Sequence, residues 1–210
     1  MSLQYRLLYR LGFTPWEQMA KLPVRDQLAS LFEREERDRG GRPGTALDLG
    51  CGRGIWSADL AERGWDVTGV DIVRRAVTAA TARGDAGPGS MRFVQGDVAR
   101  VDQLGLRRFD LLLDISCFHE LDDERRAAMG HAVDGVSAGD ATMLLQAFEP
   151  RGRNPMLPRG ATSDEIAWCF ARWTIVDEVP ADTTGAPAMV VKARPRFFRL
   201  RRTADSHPTG

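Results

Sequence analysis

The sequence predicts an α/β protein with a mostly parallel sheet and helices on both of its faces. From Thr45 onward, short apolar runs alternate with stretches of helical periodicity, which is typical of right-handed βαβ units. The run Leu111–Leu113 has no polar alternation, as expected for a central strand that helices cover on both sides. A glycine-rich turn directly after the first apolar run fits the same architecture.

Length and composition fit one globular domain. The chain has 210 residues, of which 43% are hydrophobic and 28% are charged, and such values exclude a disordered or fibrous chain. Its 29 basic and 29 acidic residues cancel, so a general electrostatic attraction to nucleic acid or to an anionic membrane is not expected. We therefore predict no nucleic-acid partner, no membrane, and a monomer or homodimer.

Cysteine usage and the N-terminal stretch predict a cytoplasmic protein. Cys51, Cys117 and Cys169 are odd in number and form no C-x-x-C pair, which argues against a disulfide framework and fits a reducing compartment. Arg6 and Arg10 interrupt the apolar N-terminal stretch, so we expect no export signal. No stretch approaches the ~20 apolar residues of a membrane-spanning helix. The three histidines show no ligand spacing, so we also expect no metal.

Residues 1–43 are predicted to form a helical lid on a single core that spans residues 44–202. The first helix is predicted by leucines at helical spacing, namely Leu3, Leu7 and Leu11. After Pro15 a second helical run extends over residues 24–39. Residues 203–210 have nothing to bury, which predicts a flexible tail.

Six apolar runs within the core are predicted to be strands. They span residues 46–49, 67–70, 91–94, 109–115, 143–148 and 175–179. A capping box at residues 162–165 predicts the start of a helix before the last of these strands. Near the C-terminus, Phe198 and Leu200 alternate with Arg199 and Arg201, which indicates a further strand with one face in water. In a neutral chain, this solvated face explains the clustered arginines better than nucleic-acid binding does.

The segment Leu47–Gly54 predicts a ligand-binding turn. Glycine permits positive φ and lets a ligand approach the backbone closely. The glycines stand two residues apart, and Ile55 occupies the place of the third glycine of the dinucleotide fingerprint. This spacing disfavours a nicotinamide-dependent oxidoreductase, which stays open as an alternative. Asp48, inside the strand end, suits a ligand that carries an ammonium group.

Acidic residues follow the next three strands in turn. Asp71 ends the second strand, where a carboxylate can accept hydrogen bonds from both hydroxyls of a ribose. Asp97 follows the third strand and can accept from an adenine amine, and Asp114 closes the fourth. Burying unpaired charges is too costly for all of them, with Asp48, to be core residues. We therefore expect them at the carboxyl edge of the sheet, where open α/β folds bind ligands.

These motifs resemble those of the class I S-adenosylmethionine-dependent methyltransferases. The similar segments are Leu47–Gly54, Gly69–Ile72, Gln95–Val98 and Phe109–Ile115, and the resemblance covers residues 44–202. It implies a Rossmann-like sheet of seven strands, the last one antiparallel, and S-adenosylmethionine as cofactor. The core residues implied to bind the cofactor are Asp48, Gly50, Cys51, Gly52, Asp71, Ile72, Asp97, Val98 and Asp114.

A finer resemblance is to a small-molecule branch that includes the thiopurine, tellurite-resistance and mycobacterial heterocyclic toxin methyltransferases. Asp114–Leu121 is similar to the D-x-x-x-F-H segment of that branch, and Pro15-Trp16 to an element that closes over the cofactor. Trp16 is thereby implied as a further cofactor-binding residue. The branch implies transfer of a methyl group to an oxygen or nitrogen of a small molecule, such as a phenolic or heterocyclic metabolite or a sugar hydroxyl. A non-catalytic cofactor-binding module stays open as an alternative.

His119 and Glu120 are the candidate catalytic residues. A histidine changes protonation near neutral pH and can act as a general base, but a structural ring that orders the loop is an equal alternative. Glu120 can act as a base or orient His119, and it can equally be an acidic residue at a helix N-terminus. We expect Cys51 and Cys117 to fill space rather than act as nucleophiles, because methyl transfer from a sulfonium needs no covalent intermediate.

Overall fold

The computed structural model describes residues 22–84, 87–150 and 158–203. The strands found there are β1 Thr45–Leu49, β2 Asp66–Asp71, β3 Ser90–Gln95, β4 Phe109–Ile115, β5 Ser137–Ala147, β6 Trp173–Pro180 and β7 Arg196–Arg202. The α-helices found there are α1 Val24–Asp38, α2 Ile55–Glu62, α3 Arg74–Thr81, α4 Asp123–Gly135, α5 Ser163–Cys169 and α6 Ala188–Ala193. Two 3₁₀ segments span Val98–Leu104 and Phe118–Glu120. None of these helices is long and apolar enough to cross a membrane.

The strands form one sheet in the order β3-β2-β1-β4-β5-β7-β6. β1 pairs in parallel with β2 and β4, and the parallel ladder continues to β3 on one side and β5 on the other. β7 runs antiparallel between β5 and β6. The predicted seven-stranded, mostly parallel sheet with an antiparallel last strand is confirmed. The strand order reverses between β1 and β4, so their carboxyl ends form the crevice where open α/β sheets bind ligands.

The predicted apolar strands are confirmed, and β5 shows the largest shift of a boundary. It was expected over residues 143–148 and begins at Ser137. Its first part includes Gly139 and Asp140, which are exposed and carry no apolar signal. Pairing of Ser137 with Phe109 across a register irregularity places this polar segment in the sheet. Such non-local pairing is invisible to local periodicity.

Helices cover both faces of the central strands, as the apolar run in β4 predicts. Leu112 belongs to a buried cluster with Met129 and Val133 of α4. Leu113, the next residue, belongs to a second cluster with Phe32 of α1. Successive strand residues point to opposite faces, so each face of β4 has its own apolar cover.

The part of the predicted lid that is described is a helix packed on the sheet. Val24, Leu28 and Phe32 of α1 are buried in the cluster that includes Leu113. The preceding residues 1–21, which include the predicted first helix and Trp16, lie outside the described residues. The predicted tail lies outside them from residue 204 onward.

The predicted wet face of the last strand is wrong at Arg199. Its side chain is buried, with Nε 2.5 Å from Glu35 Oε1 and a terminal nitrogen 2.6 Å from Asp38 Oδ2. Glu35 is itself buried and accepts a further hydrogen bond from the Thr142 hydroxyl at 2.6 Å. The reason is that α1 covers this face and supplies the neutralising carboxylates. Arg201, two residues on, is exposed as predicted.

The contact between α4 and α5 depends on a cap and a glycine. The predicted capping box is present, since the Glu165 N–H donates to the Thr162 hydroxyl at 3.1 Å and the Glu165 carboxylate accepts from the Thr162 N–H at 2.8 Å. A Cβ on Gly130 of α4 would lie 1.8 Å from the Cys169 carbonyl oxygen at the end of α5. The cap fixes the start of α5, and the absence of a side chain on Gly130 lets α4 approach the end of α5 closely.

Replacing Arg199 by Met is expected to lower the free energy of unfolding by about 3–5 kcal/mol, because it leaves the Glu35 carboxylate buried without a cationic partner. Urea denaturation measures the loss. Arg25→Met is the control, since Arg25 pairs with Asp59 with half of its own side chain in water, and its removal should cost at most about 1 kcal/mol. A small and equal loss in both variants would show that the buried pair does not hold α1 to the sheet.

Candidate active site

The glycine turn between β1 and α2 adopts backbone angles that suit glycine. Gly50, Gly52 and Gly54 all have positive φ, at 75°, 54° and 72°. The carbonyl of Val70 at the end of β2 accepts from the N–H groups of Gly50 at 2.8 Å and of Cys51 at 3.1 Å. A Cβ on Gly50 would lie 2.7 Å from the sulfur of Cys117. The turn is therefore held to β2 on one side and touches the loop after β4 on the other.

Asp71 ties the glycine turn to the end of β2. One carboxylate oxygen accepts from the Gly52 N–H at 2.9 Å and the other from the Val73 N–H at 2.7 Å. Burial raises the pKa of Asp71, against the effect of these hydrogen bonds. Ile72 follows directly and packs against Val73. Each carboxylate oxygen keeps a further lone pair with which it can accept another hydrogen bond.

Asp48 is buried near the end of β1. The hydroxyl of Ser57 on α2 donates to its carboxylate at 2.6 Å. Burial raises the pKa of Asp48 to about 7 against this hydrogen bond, and the charge of Asp71 adds to the rise. We expect that the four acidic residues are not all core residues; Asp48 is buried at this edge, whereas Asp97 is partly exposed. A hydroxyl partner and a pKa that permits protonation reduce the cost of burial.

Asp114 is likewise buried, at the next-to-last position of β4. Its carboxylate accepts from the N–H groups of Cys117 at 2.9 Å and of Phe118 at 3.0 Å. Burial raises the pKa of Asp114 to about 7, and the charge of Asp48 acts in the same direction. Asp114 is thus a second buried carboxylate at this edge of the sheet. Its hydrogen bonds fold the chain back over the end of β4.

Asp97 lies at the start of the 3₁₀ segment that follows β3. One of its oxygens accepts from the Ala99 N–H at 3.0 Å and from the guanidinium of Arg125 at 2.6 Å. Val98 beside it is buried in the cluster around Leu112. Arg125 lies in the first turn of α4, so this ion pair joins the segment after β3 to the helix after β4.

Cys51 and Cys117 are free thiols close to the glycine turn. Burial raises the pKa of both thiols well above the usual range, and neighbouring acidic side chains add to the effect. Both therefore stay protonated at neutral pH. This supports the expectation that they fill space, because the thiolate is the reactive form.

His119 is held inside the loop after β4. Its side chain is 1% exposed, and Nδ1 accepts from the Phe148 N–H at 3.0 Å. The two rings pack against each other at a tilt of 35°, with centroids 4.6 Å apart. Burial lowers the pKa of His119 to about 3, and the charge of Arg126 adds to this. The imidazole is therefore neutral with its proton on Nε2, which lies 3.8 Å from Glu120 Oε1. In this arrangement, neither ring nitrogen offers a lone pair to another molecule.

The structure brings some of the predicted site residues together. The charges of Asp48, Asp71 and Asp114 influence one another around the glycine turn, and Asp97 lies at the end of β3, farther along the same edge. Glu120 is partly exposed beside His119. Trp16 lies outside the described residues. Across the described ranges, no group of three or more His, Cys, Asp or Glu residues is arranged to hold a metal ion.

Four residues near the site were missed by sequence reasoning, namely Ser57, Arg125, Ser116 and Gln146. Ser57 gives a weak signal as a polar residue in an apolar helix nine positions after Asp48. Arg125 gives none, because its partner lies on another element. Ser116 is marked by a positive φ of 70°, which a sequence does not reveal in a residue other than glycine.

The glycine turn and the fold match known proteins. The family described as "Methyltransferase domain" matches residues 46–139. Among solved structures, the 1,6-didemethyltoxoflavin-N1-methyltransferase of Burkholderia thailandensis, with bound S-adenosylhomocysteine, is 26% identical with a TM-score of 0.70, over 95% of this chain and 86% of that one. The chain is an S-adenosylmethionine-dependent methyltransferase, and it is similar to the class I enzymes of this kind. This result replaces the two alternatives that the sequence left open, namely a nicotinamide-dependent oxidoreductase and a non-catalytic cofactor-binding module.

Two curated relatives of this methyltransferase cover smaller parts of it. An uncharacterized methyltransferase of Schizosaccharomyces pombe is 27% identical over 108 residues, which are 51% of this chain and 74% of that protein. The 2-heptyl-1-hydroxyquinolin-4(1H)-one methyltransferase of Mycobacteroides abscessus is 28% identical over 143 residues, which are 66% of this chain and 62% of that enzyme.

The methyltransferase without ligand is expected to lose stability as the pH rises from about 4 to about 7. The pKa of Asp48 is raised to about 7 in the folded state, whereas an unfolded aspartate titrates near ~3.9. The folded chain binds the extra proton, so the stabilisation is complete below the unfolded pKa and is lost as the pH approaches the folded one. Thermal denaturation between pH 5 and pH 8 measures this, and Asp48→Asn should flatten the slope.

Asp66→Asn is the matched control. Hydrogen bonds from Ser90 and then Arg107 lower the pKa of Asp66, so its contribution is present above the unfolded pKa and is lost as the pH falls. Asp66→Asn should therefore leave the slope between pH 5 and pH 8 unchanged. A slope that Asp48→Asn also leaves unchanged would show that the buried carboxylate does not cause it.

Proposed function

We propose that this methyltransferase transfers the methyl group of S-adenosylmethionine to an oxygen or nitrogen of a small heterocyclic or phenolic acceptor. The observation that carries the proposal is the 26% identity over 95% of the chain to an enzyme named for methylating a nitrogen of a heterocycle. The hydroxyquinolone methyltransferase named among the relatives supports the same acceptor class. A sugar hydroxyl is the less favoured acceptor. A cytoplasmic monomer or homodimer that does not act on nucleic acid belongs to the same proposal, supported by the zero net charge.

The side chains at the carboxyl edge of the sheet are chemically suited to bind the cofactor. Asp48 and Asp114 are buried, and their described partners are a hydroxyl and backbone N–H groups rather than cations. The methionine part of the cofactor carries an ammonium group, which would offset the cost of these buried carboxylates. We place it beside them, against Gly50, Cys51 and Gly52. The positive φ of these glycines and the close approach of Cys117 support a turn that only small residues can form.

We place the nucleoside part of the cofactor farther along the edge. The remaining lone pairs of Asp71 suit the two ribose hydroxyls, with Ile72 beside them. Asp97 suits the adenine amine, because its second oxygen can still accept a hydrogen bond while Arg125 and Ala99 hold the first. Val98 supplies an apolar surface for the ring. Trp16 is the proposed cover of the site and lies outside the described residues.

The cofactor supplies a methyl group that is already activated on a sulfonium. The protein therefore has to hold the acceptor nucleophile in line with that methyl at close contact and keep water out. A general base matters most for an acceptor that arrives protonated, and little for one that ionises near neutral pH. The buried, hydrogen-bonded ends of β1 and β4 suit the positioning task, because their side chains have little freedom to move.

We propose that His119 is a positioning residue rather than the general base. A base needs a free lone pair within hydrogen-bond reach of the acceptor, and Nδ1 of His119 already accepts from Phe148. Its lowered pKa also makes it a poor proton acceptor. Glu120 is the carboxylate next to it that reaches solvent, and it stays the candidate base for acceptors that need one.

Two isosteric variants separate the roles of His119. Asn places an oxygen near the position of Nδ1 and can keep the Phe148 hydrogen bond, whereas Gln extends toward the position of Nε2. For a positioning role, His119→Asn should keep most of kcat and thermal stability, and His119→Gln should lose both. A general base would instead give losses of roughly 10²–10⁴-fold in kcat for both variants, which shrink for acceptors of lower pKa. Steady-state kinetics on acceptors of different pKa decides between them.

Transfer of radiolabelled methyl from S-adenosylmethionine tests the acceptor class. The probes are 2-heptyl-1-hydroxyquinolin-4(1H)-one, 1,6-didemethyltoxoflavin and glucose, with mass spectrometry to locate the new methyl group. We expect label on a heterocycle and little on the sugar. Asp71→Ala is the negative control, since loss of hydrogen bonds to a charged group should weaken cofactor binding by about 1.5–3 kcal/mol. Label on glucose alone, or on no probe despite tight S-adenosylhomocysteine binding, would contradict the proposed class.

A further inference from the structure

Ser116 is a strained residue at the point where β4 ends. Its φ is 70°, and among the described residues Arg194, with φ 44°, is the other residue besides glycine with positive φ. A side chain in this region costs energy that glycine avoids. Such residues persist where surrounding contacts hold them, and they concentrate at functional sites. The strain therefore calls for an explanation from the contacts of Ser116.

The contacts of Ser116 go to one residue of the neighbouring strand. Its N–H donates to the Gln146 carbonyl at 3.3 Å, and its hydroxyl donates to the side-chain oxygen of the same residue. Gln146 is buried near the end of β5, between Leu145 and Ala147. A polar side chain at this place needs a partner, and Ser116 supplies it. The two residues form a polar pair across the ends of β4 and β5.

The pair lies next to the proposed cofactor site. Asp114 precedes Ser116 by two residues, and Cys117 follows it and faces the glycine turn at Gly50. The conformation of Ser116 is what turns the chain so that the Cys117 N–H reaches the Asp114 carboxylate. Ser116 is partly exposed while Asp114 is buried. The Ser116 hydroxyl therefore lies between the proposed cofactor site at Asp114 and the end of β5.

We propose that the Ser116 hydroxyl orients the methyl acceptor by accepting a hydrogen bond from the N–H or O–H group that is to be methylated. The inference rests on the proposed function of this edge. A hydroxyl has one donor and two acceptor positions, and the Ser116 donor is committed to Gln146. What it can offer a ligand is a lone pair. The pair therefore selects acceptors that still carry their proton at the nucleophilic atom and holds the nucleophile's own lone pair toward the methyl group. As the bond from the nucleophile to the methyl carbon forms and the carbon–sulfur bond of the cofactor breaks, the proton passes to Glu120, the candidate base.

Ser116→Gly is the test variant, because it removes the hydroxyl and relieves the strain at the same position. Wild type and variant are compared on whichever of 2-heptyl-1-hydroxyquinolin-4(1H)-one and 1,6-didemethyltoxoflavin the wild type methylates faster. We expect kcat/KM for the acceptor to fall about 10-fold or more, as for loss of one buried hydrogen bond to a substrate. The Kd of S-adenosylhomocysteine should change less than about twofold. Thermal stability should change little, because relief of the positive φ offsets loss of the hydrogen bond to Gln146. The deficit should shrink as rising pH deprotonates the acceptor.

Arg194→Gly is the matched control. It relieves the other positive φ at an exposed residue after α6 and should leave kcat/KM unchanged. An active wild type with an equally active Ser116→Gly variant would overturn the inference and keep the proposed function. A deficit that is independent of pH would also overturn it, since it would indicate a structural role. A wild type that methylates neither probe while binding S-adenosylhomocysteine would overturn the proposed function and this inference with it.

Discussion

The Asp71 carboxylate makes the ends of β1 and β2 one rigid unit. It accepts from Gly52 on the glycine turn and from Val73 after β2, while the Val70 carbonyl accepts from the turn in the opposite direction. The turn cannot shift without breaking these bonds. Because Cys117 packs against Gly50, the loop after β4 is fixed by the same unit. This part of the carboxyl edge is thus held by backbone N–H groups that donate to the Asp71 carboxylate and to the Val70 carbonyl.

A second set of contacts fixes the loops after β4 and β5 to each other. Phe148 donates to Nδ1 of His119, and the buried guanidinium of Arg126 on α4 donates to the carbonyls of His119 and Gly160. These bonds join three segments that are distant in the sequence. The histidine contributes here through its shape and its lone pair, not through its charge. These contacts therefore support the side of the edge at which we propose that the acceptor enters.

Local signals in the sequence were sufficient for the sheet and for bringing Asp71 and Asp114 to its carboxyl edge. The apolar runs predicted the strands, and the glycine spacing with Asp71 and Asp114 pointed to one crevice, because parallel strands bring their carboxyl ends to the same edge. The failures concern contacts between distant elements. Arg199 is buried because α1 supplies Glu35, and no local alternation reveals that. The Ser57 partner of Asp48 was likewise missed, because it lies on a different element. The positive φ of Ser116 has no signal in the sequence at all.

The position of the buried carboxylates Asp48 and Asp114 relative to the cofactor also affects the rate of methyl transfer. The sulfonium loses its positive charge when the methyl leaves, whereas the ammonium of the cofactor keeps its charge throughout. A carboxylate close to sulfur would stabilise the cofactor more than the transition state and would slow the reaction. A carboxylate close to the ammonium stabilises both equally. Burial raises the pKa of Asp114 to about 7, and the ammonium group that we place beside it would lower this pKa and favour the carboxylate. On the proposed placement, an acidic edge can therefore bind the ammonium group of the cofactor tightly without slowing transfer of the methyl group.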